Sequence, residues 1–165
     1  MDDLRPASLL AQAIAAIRGE CGGHGTSVQG ERESPTQAGA GGADGALLRF
    51  ARGHNLVSTE ERLSLLSPLE GGNEHEIFRD PETPGSVVKV TEPGLRLRNG
   101  RDRIPQVTPL HYLQRWQLAN EAFGDAVELA MVIATGLGMR IGIRQPYVAA
   151  ANPLEPNPPQ QKINS

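Results

Sequence analysis

The stretch "GGNEHEIFRDPETPGSVVKV", residues 71–90, decides the fold. A glycine pair precedes the apolar residues 77 and 78, and "DPETPG" then supplies prolines and a glycine of the kind that turns favour. The run "SVVKVT" that follows is rich in β-branched residues, which favour strands. The stretch therefore predicts a β-hairpin whose second strand carries Lys89.

Composition divides the chain into an ordered part and a loose part. The 165 residues suffice for about one domain, but aromatic residues make up 4% of them, beside 19 glycines and 13 prolines. Residues 19–45 are rich in Gly, Ser, Thr and Gln and predict a flexible linker. Residues 151–165 are rich in proline and predict a disordered tail. The ordered domain is expected between residues 46 and 150.

Charge and cysteine content restrict the partners and the compartment. The net charge of −3 gives no electrostatic argument for nucleic acid or for an anionic membrane. The acidic start of the chain is unlike a secretory signal, and no apolar run is long enough for a membrane span. Cys21 is the single cysteine, and with His24 it provides too few ligands for a structural zinc. We expect a soluble, cytoplasmic protein with no metal site of this kind.

Helical patterns lie before the hairpin. Residues 7–18 carry Leu10, Ile14 and Ile17 on one helical face, and Gly19 predicts the end of that helix. Two short helices are expected between residues 46 and 69. Ser58, with Glu61 three residues later, predicts a capping box at the start of the second of them.

The strongest helical pattern, "TPLHYLQRWQLANEAFGD", follows the hairpin at residues 108–125. Thr108 is the expected N-cap, Pro109 the first helical residue and Gly124 the stop. The helix has an apolar stripe expected to face the core, formed by Tyr112, Trp116, Ala119 and Phe123. Two strands, residues 126–134 and 139–148, are expected next, joined by a turn at residues 136–138.

This order of elements predicts an α+β fold, and it resembles a known family. The segments "EGGNEHEIFRDPETPGSVVKVTEPG", "TPLHYLQRWQLANEAFGD" and "IGIRQPYV" resemble the N-terminal lobe of the serine/threonine/tyrosine kinase-like domain found in polyvalent proteins of phages and conjugative elements. The resemblance covers residues 48–150. It implies a small antiparallel sheet with one main helix.

The resemblance assigns Lys89 to the lysine of the kinase V-A-I-K motif, which contacts the phosphates of ATP. The alternative for Lys89 is an edge-strand lysine that discourages aggregation. Gly71 and Gly72 would form the glycine-rich turn, although Glu70 and His75 replace the outer two glycines of the motif. The alternative for the glycine pair is a plain hairpin turn.

The resemblance also implies an acidic partner for Lys89 and a hinge that contacts adenine. Glu121 is the acidic residue of the helix, but it lies nearly opposite the apolar stripe, whereas Asn120 borders that stripe. Both stay candidates for the partner. Gln145 and Tyr147 would bind the nucleotide at the hinge, and the alternative for this segment is a strand that ends at Pro146.

Magnesium ligands and a catalytic base lie in the second lobe of a kinase. The 18 residues after Tyr147 contain none of the corresponding motifs, so we expect a truncated, noncatalytic lobe that binds ATP weakly and Mg²⁺ only beside a second lobe. Its partners would be the other domains of a parent polyvalent protein. The alternative hypothesis is a protein-interaction module. A third, a nucleic-acid binder, would use the basic loop of residues 96–103.

Overall fold

The computed structural model describes residues 7–22, 42–70, 72, 74–97 and 106–147. Within these ranges the chain forms an α+β fold with four helices and six strands. In chain order they are α1 (Leu9–Cys21), α2 (Ala43–Gly53), β1 (Val57–Ser58), α3 (Glu60–Ser64), β2 (Ser67–Leu69), β3 (Glu76–Arg79), β4 (Ser86–Val90), α4 (Pro109–Phe123), β5 (Glu128–Thr135) and β6 (Gly138–Pro146). Most of the expected linker, residues 23–41, and the expected tail, residues 151–165, lie outside the described residues.

The six strands form one mixed sheet in the order β1-β5-β6-β4-β3-β2. The predicted hairpin is confirmed, since β3 and β4 pair antiparallel with Ile77 opposite Lys89. The second expected hairpin is also confirmed by the antiparallel pair β5 and β6. Because β4 is flanked by β3 and β6, the interpretation of Lys89 as an edge-strand lysine is wrong.

Side chains of β4 alternate between the two faces of the sheet. Val88 and Val90 are buried with Leu63 of α3, and we call this side the α3 face. Lys89 points to the opposite side, together with its cross-strand partner Ile143. Helices α1, α2 and α4 cover that side and share one core with β5 and β6, so we call it the helix-covered face.

Helix α4 has the predicted ends. The Thr108 side chain accepts a hydrogen bond from the His111 N–H at 3.2 Å, and Gly124 ends the helix with a φ of 69°. Tyr112 and Trp116 are buried as expected. Phe123 is 80% exposed, so its assignment to the core stripe is wrong; it lies in the last turn, just before the chain leaves the helix.

Helix α1 is longer than the sequence predicts. It continues through Gly19 to Cys21, and the Gly22 N–H donates to the Arg18 carbonyl at 3.0 Å. The predicted stop at Gly19 is therefore wrong. Glycine costs a helix about 1 kcal/mol relative to alanine, and the buried apolar face of α1, which packs on α2, α4 and β5, offsets that cost.

Helix α3 begins one residue later than the predicted capping box. Thr59, not Ser58, is the N-cap, and its side chain accepts from the Arg62 N–H at 3.2 Å. Ser58 belongs instead to β1, where it is paired with Ile133 of β5. The capping-box prediction is wrong because this strand pairing holds Ser58 extended outside the helix.

Candidate functional site

Lys89 lies in the middle of β4, between Ile77 of β3 and Ile143 of β6. Its side chain is half-buried against helix α4, and the Nζ atom lies 5.7 Å from the centroid of the Trp116 ring. A cation at this distance from an indole is attracted by the negative face of the ring. The sheet therefore holds the lysine beside an aromatic platform.

No hydrogen bond or salt bridge joins Lys89 to another residue in the part of the chain that the structure describes. Burial lowers the pKa of the Lys89 ammonium, while the carboxylates of Asp125 and Glu74 act against that decrease and the nearby Arg115 adds to it. A half-buried ammonium without a paired carboxylate attracts an incoming anion. This cation is the centre of the candidate site.

The turn between β2 and β3 requires glycine at position 72. Gly72 has a φ of 120°, and a Cβ atom there would lie 2.6 Å from the His75 carbonyl oxygen. Any other residue would therefore be strained and obstructed. Gly71 lies outside the described residues, so its predicted role stays a prediction.

The two residues that replace the outer glycines of the motif have different environments. Glu70 is exposed and lines the depression beside Lys89. His75 is buried, and its Nε2 atom lies 3.0 Å from the Tyr112 hydroxyl. Burial lowers the pKa of His75 to about 4, so the ring is neutral at pH 7. The imidazole therefore belongs to the core beneath the turn.

A salt bridge also attaches this turn to helix α4. Glu74 accepts a hydrogen bond from Arg115 at 2.6 Å, and the Arg115 guanidinium carbon lies 5.5 Å from the Trp116 ring centroid. Trp116 is thus close to two cations, Lys89 and Arg115. The contacts of Arg115 with Glu74 and Trp116 were not predicted from the sequence, since no motif links residues 74 and 115.

Neither predicted partner of Lys89 is bonded to it. The Asn120 side chain donates to the Val127 carbonyl at 2.8 Å and accepts from the Val127 N–H at 2.7 Å. Glu121 is exposed and accepts from Gln117 at 3.1 Å. The residue of α4 that the structure brings to Lys89 is instead Trp116.

The end of β6, with Tyr147 after it, forms one wall of a depression of about 360 Å³ beside Lys89. Residues from four elements line it: Leu69, Glu70, Ile77, Val87, Lys89, Gln145, Pro146 and Tyr147. The Gln145 Oε1 atom is buried and has no hydrogen-bond partner among the described residues. The Tyr147 N–H donates to the Gly85 carbonyl at 2.9 Å. Gln145 and Tyr147 therefore line the same depression as Lys89, and their role at a nucleotide hinge stays a prediction.

The α3 face carries a larger cleft, of about 630 Å³, which the sequence analysis did not predict. Apolar side chains including Leu66 and Met131 line it, together with an ion pair in which Arg144 lies 3.3 Å from Asp80. The cleft is on the opposite side of the sheet from Lys89. It is a second concavity separate from the candidate site.

A second buried cation, Arg140, lies on the α3 face. Its side chain is 6% exposed and bonds to Glu76 at 2.6 Å, to Glu60 at 2.9 Å and to the Thr91 carbonyl at 2.8 Å. Burial alone would lower the pKa of Arg140, but the hydrogen bonds to Glu76 and Glu60 raise it. This guanidinium joins α3 to strands β3 and β6.

Comparison of the chain with protein-family models, with curated proteins and with solved structures gives no match. Within the described ranges, no three or more His, Cys, Asp or Glu side chains cluster closely enough to hold a metal ion. None of the helices described here combines the length and the apolar character needed to cross a membrane.

Proposed function

We propose that the chain contains a nucleotide-binding lobe of the protein-kinase-like type found in polyvalent proteins, with Lys89 as the residue that contacts the phosphates. The proposal concerns binding alone. Phosphoryl transfer also needs a catalytic base and magnesium ligands, which the resemblance assigns to a second lobe.

The order of elements supports this proposal. The glycine turn, strand β3 and the lysine-bearing strand β4 follow one another, then helix α4, then β5 and β6. This is the order that the resemblance implies, and the four strands are contiguous in the sheet. The order is a less specific argument than a sequence match, because similar folds serve many functions.

The observation that carries the proposal is the environment of Lys89. A half-buried ammonium lies in a depression that is bounded by Leu69 and Glu70 on one side and by residues 145–147 on the other, and none of the described carboxylates is bonded to it. Buried cations without a partner are costly to stability. A residue kept in such a place is therefore a candidate for binding an anionic ligand.

The residues of the depression fit ATP in part. Leu69, Ile77 and Val87 offer apolar surface for a base, and Lys89 offers a cation for the phosphates. Glu70 lines the same depression and repels phosphate. We therefore expect weak ATP binding. Since the described residues provide no cluster of metal ligands, Mg²⁺ would require residues of a second lobe.

Nucleotide titration tests this function. Trp116 is the single tryptophan of the chain and lies beside Lys89, so its fluorescence should change when ATP binds. We expect Lys89→Ala to weaken ATP binding by about tenfold or more, which is about 1.4 kcal/mol and within the range of a hydrogen bond to a charged group.

The matched control is Arg52→Ala, which removes an exposed cation in the last turn of α2. It should leave ATP binding unchanged. A folded wild-type protein that shows no saturable ATP binding, or a Lys89→Ala variant that binds as the wild type does, would contradict the proposed function.

The interaction-module hypothesis stays a prediction. Large exposed apolar residues are distributed over several elements, namely Val57, Leu65, Leu118, Phe123, Leu137 and Tyr147. Such residues, scattered singly, are ordinary on protein surfaces. No specific contact or patch among them favours this hypothesis over nucleotide binding.

A further inference from the structure

Two cations share one aromatic platform at the candidate site. Lys89 Nζ lies 5.7 Å and the Arg115 guanidinium carbon 5.5 Å from the centroid of the Trp116 ring. Arg115 is also one of the groups that disfavour the charged form of Lys89. The two like charges therefore repel each other, and an anion close to both would relieve that repulsion.

The chain itself provides two anions here, Asp125 and Glu74, which both attract the Lys89 ammonium. Of the two, Glu74 is the one bonded to Arg115, at 2.6 Å. Arg115 and Glu74 expose 47% and 42% of their side chains, and ion pairs exposed to this extent contribute little to stability. Displacement of the Glu74 carboxylate from Arg115 by a more highly charged anion therefore costs little free energy.

We propose that Lys89 and Arg115 together bind the phosphate chain of a polyphosphate ligand, and that Glu74 is the internal counter-ion which this ligand displaces from Arg115. Arginine suits this role because its planar guanidinium binds two phosphate oxygens at once. The inference rests on the proposed function, and it identifies the part of the ligand that helix α4 contacts. In this chain the helix contributes a cation to the site.

The effect of neutralising Glu74 on polyphosphate binding distinguishes the proposed role of Glu74 from a purely structural one. If Glu74 competes with phosphate for Arg115, its neutralisation should tighten polyphosphate binding. If the salt bridge only holds the turn on α4, neutralisation should loosen the turn and weaken binding or leave it unchanged. The direction of the change therefore decides between the two roles.

The experiment is a titration of the full chain with sodium tripolyphosphate, without added metal, followed by Trp116 fluorescence. We expect Glu74→Gln to bind tripolyphosphate about fivefold more tightly than the wild type and Arg115→Gln about fivefold more weakly. A fivefold change in affinity is about 1 kcal/mol, which is the free energy of one partly exposed ion pair. Arg115→Lys should recover only part of the affinity, because it restores the charge but cannot bind two phosphate oxygens at once.

A matched control separates direct competition from a general change in charge. Glu121→Gln removes one negative charge from the exposed side of the same helix, where Glu121 is bonded only to Gln117 among the described residues. It should leave tripolyphosphate affinity within about twofold of the wild type. A gain equal to that of Glu74→Gln would overturn the inference.

A second ligand distinguishes the phosphate chain from the rest of the nucleotide. ATP binding should respond to Glu74→Gln and Arg115→Gln in the same directions as tripolyphosphate binding, whereas adenosine binding should respond to neither. Adenosine binding that shifts with either variant would contradict the assignment of Arg115 to the phosphates.

Failure of this inference is distinguishable from failure of the proposed function. If tripolyphosphate and ATP bind in a Lys89-dependent manner, but Glu74→Gln does not tighten binding, the role of Glu74 is wrong and the nucleotide site stands. If neither ligand binds the folded wild-type chain, both proposals are wrong. Thermal unfolding of each variant establishes that the chain is folded before the titrations are compared.

Discussion

Each face of the sheet carries one cation, and the two cations differ in whether carboxylates are bonded to them. On the α3 face, Arg140 is bonded to two carboxylates and a backbone carbonyl, and its side chain is 6% exposed. On the helix-covered face, Lys89 is half-buried and lies beside the Trp116 ring without a bonded carboxylate. Both cations sit on interior strands of the same sheet.

The difference indicates different roles for the two residues. A buried cation that is bonded to groups on several elements joins those elements, and removing it leaves carboxylates without their partner. A cation that is held by the sheet without a bonded carboxylate adds no salt bridge to the fold, and its burial is unfavourable. We therefore expect Arg140 to matter for folding and Lys89 to matter for binding.

The largest effect on stability should follow from removing the Trp116 ring, which lies beside Lys89. Trp116→Ala deletes a buried indole that packs beside Tyr112 and His75, and such deletions cost about 3–5 kcal/mol. Because this variant lacks the single tryptophan, urea unfolding should be followed by far-ultraviolet circular dichroism. Phe123→Ala, in the exposed last turn of the same helix, is the control and should cost less than about 0.5 kcal/mol. Equal costs for the two variants would mean that Trp116 is not a core residue.

Removing the paired cation should have the next largest effect. Arg140→Met leaves Glu60 and Glu76 without their shared partner, and breaking a buried ion pair in this way costs about 3 kcal/mol. Urea unfolding followed by Trp116 fluorescence measures the change. A variant as stable as the wild type would show that Arg140 does not hold α3 on the sheet.

The pH dependence of stability tests the buried imidazole on the helix-covered face. Burial lowers the pKa of His75 from 6.5 to about 4, so the unfolded chain binds the proton more readily than the folded chain. This contribution to stability is full above pH 6.5 and decreases as the pH falls towards 4. By pH 5 the loss should reach about 2 kcal/mol.

His75→Gln should remove this part of the pH dependence, since glutamine does not titrate and can still bond the Tyr112 hydroxyl. The measurement is urea unfolding of both proteins at intervals between pH 7.5 and pH 5. Identical slopes for the two proteins in this range would contradict the buried, neutral state of His75.

The smallest effect on stability should come from the unpaired cation itself. Lys89→Met keeps the length of the side chain and removes the charge, so the free energy of unfolding should change by less than about 1 kcal/mol in either direction. The same variant should lose ATP binding. A loss of stability as large as that of Arg140→Met would contradict the expectation that Lys89, unlike Arg140, matters for binding and not for folding.

Local signals in the sequence predicted the hairpin and helix α4 correctly. The turn prolines, the β-branched run before and after Lys89, the N-cap Thr108 and the stop at Gly124 each act within a few residues. Strands β1 and β2, of two and three residues, were not predicted. They are too short for a periodic pattern. Strand β1 depends on its distant partner β5 (Val57 opposite Val132), and β2 depends on its pairing with the neighbouring strand β3 (Leu69 opposite Ile77).

The partners of Lys89 could not be predicted for a related reason. The helical pattern correctly indicated that Asn120 borders the packed side of α4, but the path of residues 124–127 brings the backbone of Val127 to its amide. Ala126 has a φ of 51° on that path. Likewise, Glu74 and Arg115 meet across 41 residues of sequence, a distance at which spacing carries no information.

The docking of helix α1 has a consequence for synthesis of the chain. Its apolar side chains Leu10, Ile14 and Ile17 are fully buried against elements that include α4 and β5, which are translated about 100 residues later. On the ribosome, α1 therefore emerges long before α4 and β5, although α2 follows it sooner. Contacts so distant in sequence slow folding and leave apolar surface exposed in the meantime. Until α4 and β5 have been translated, α2 is the element of this core on which α1 can pack.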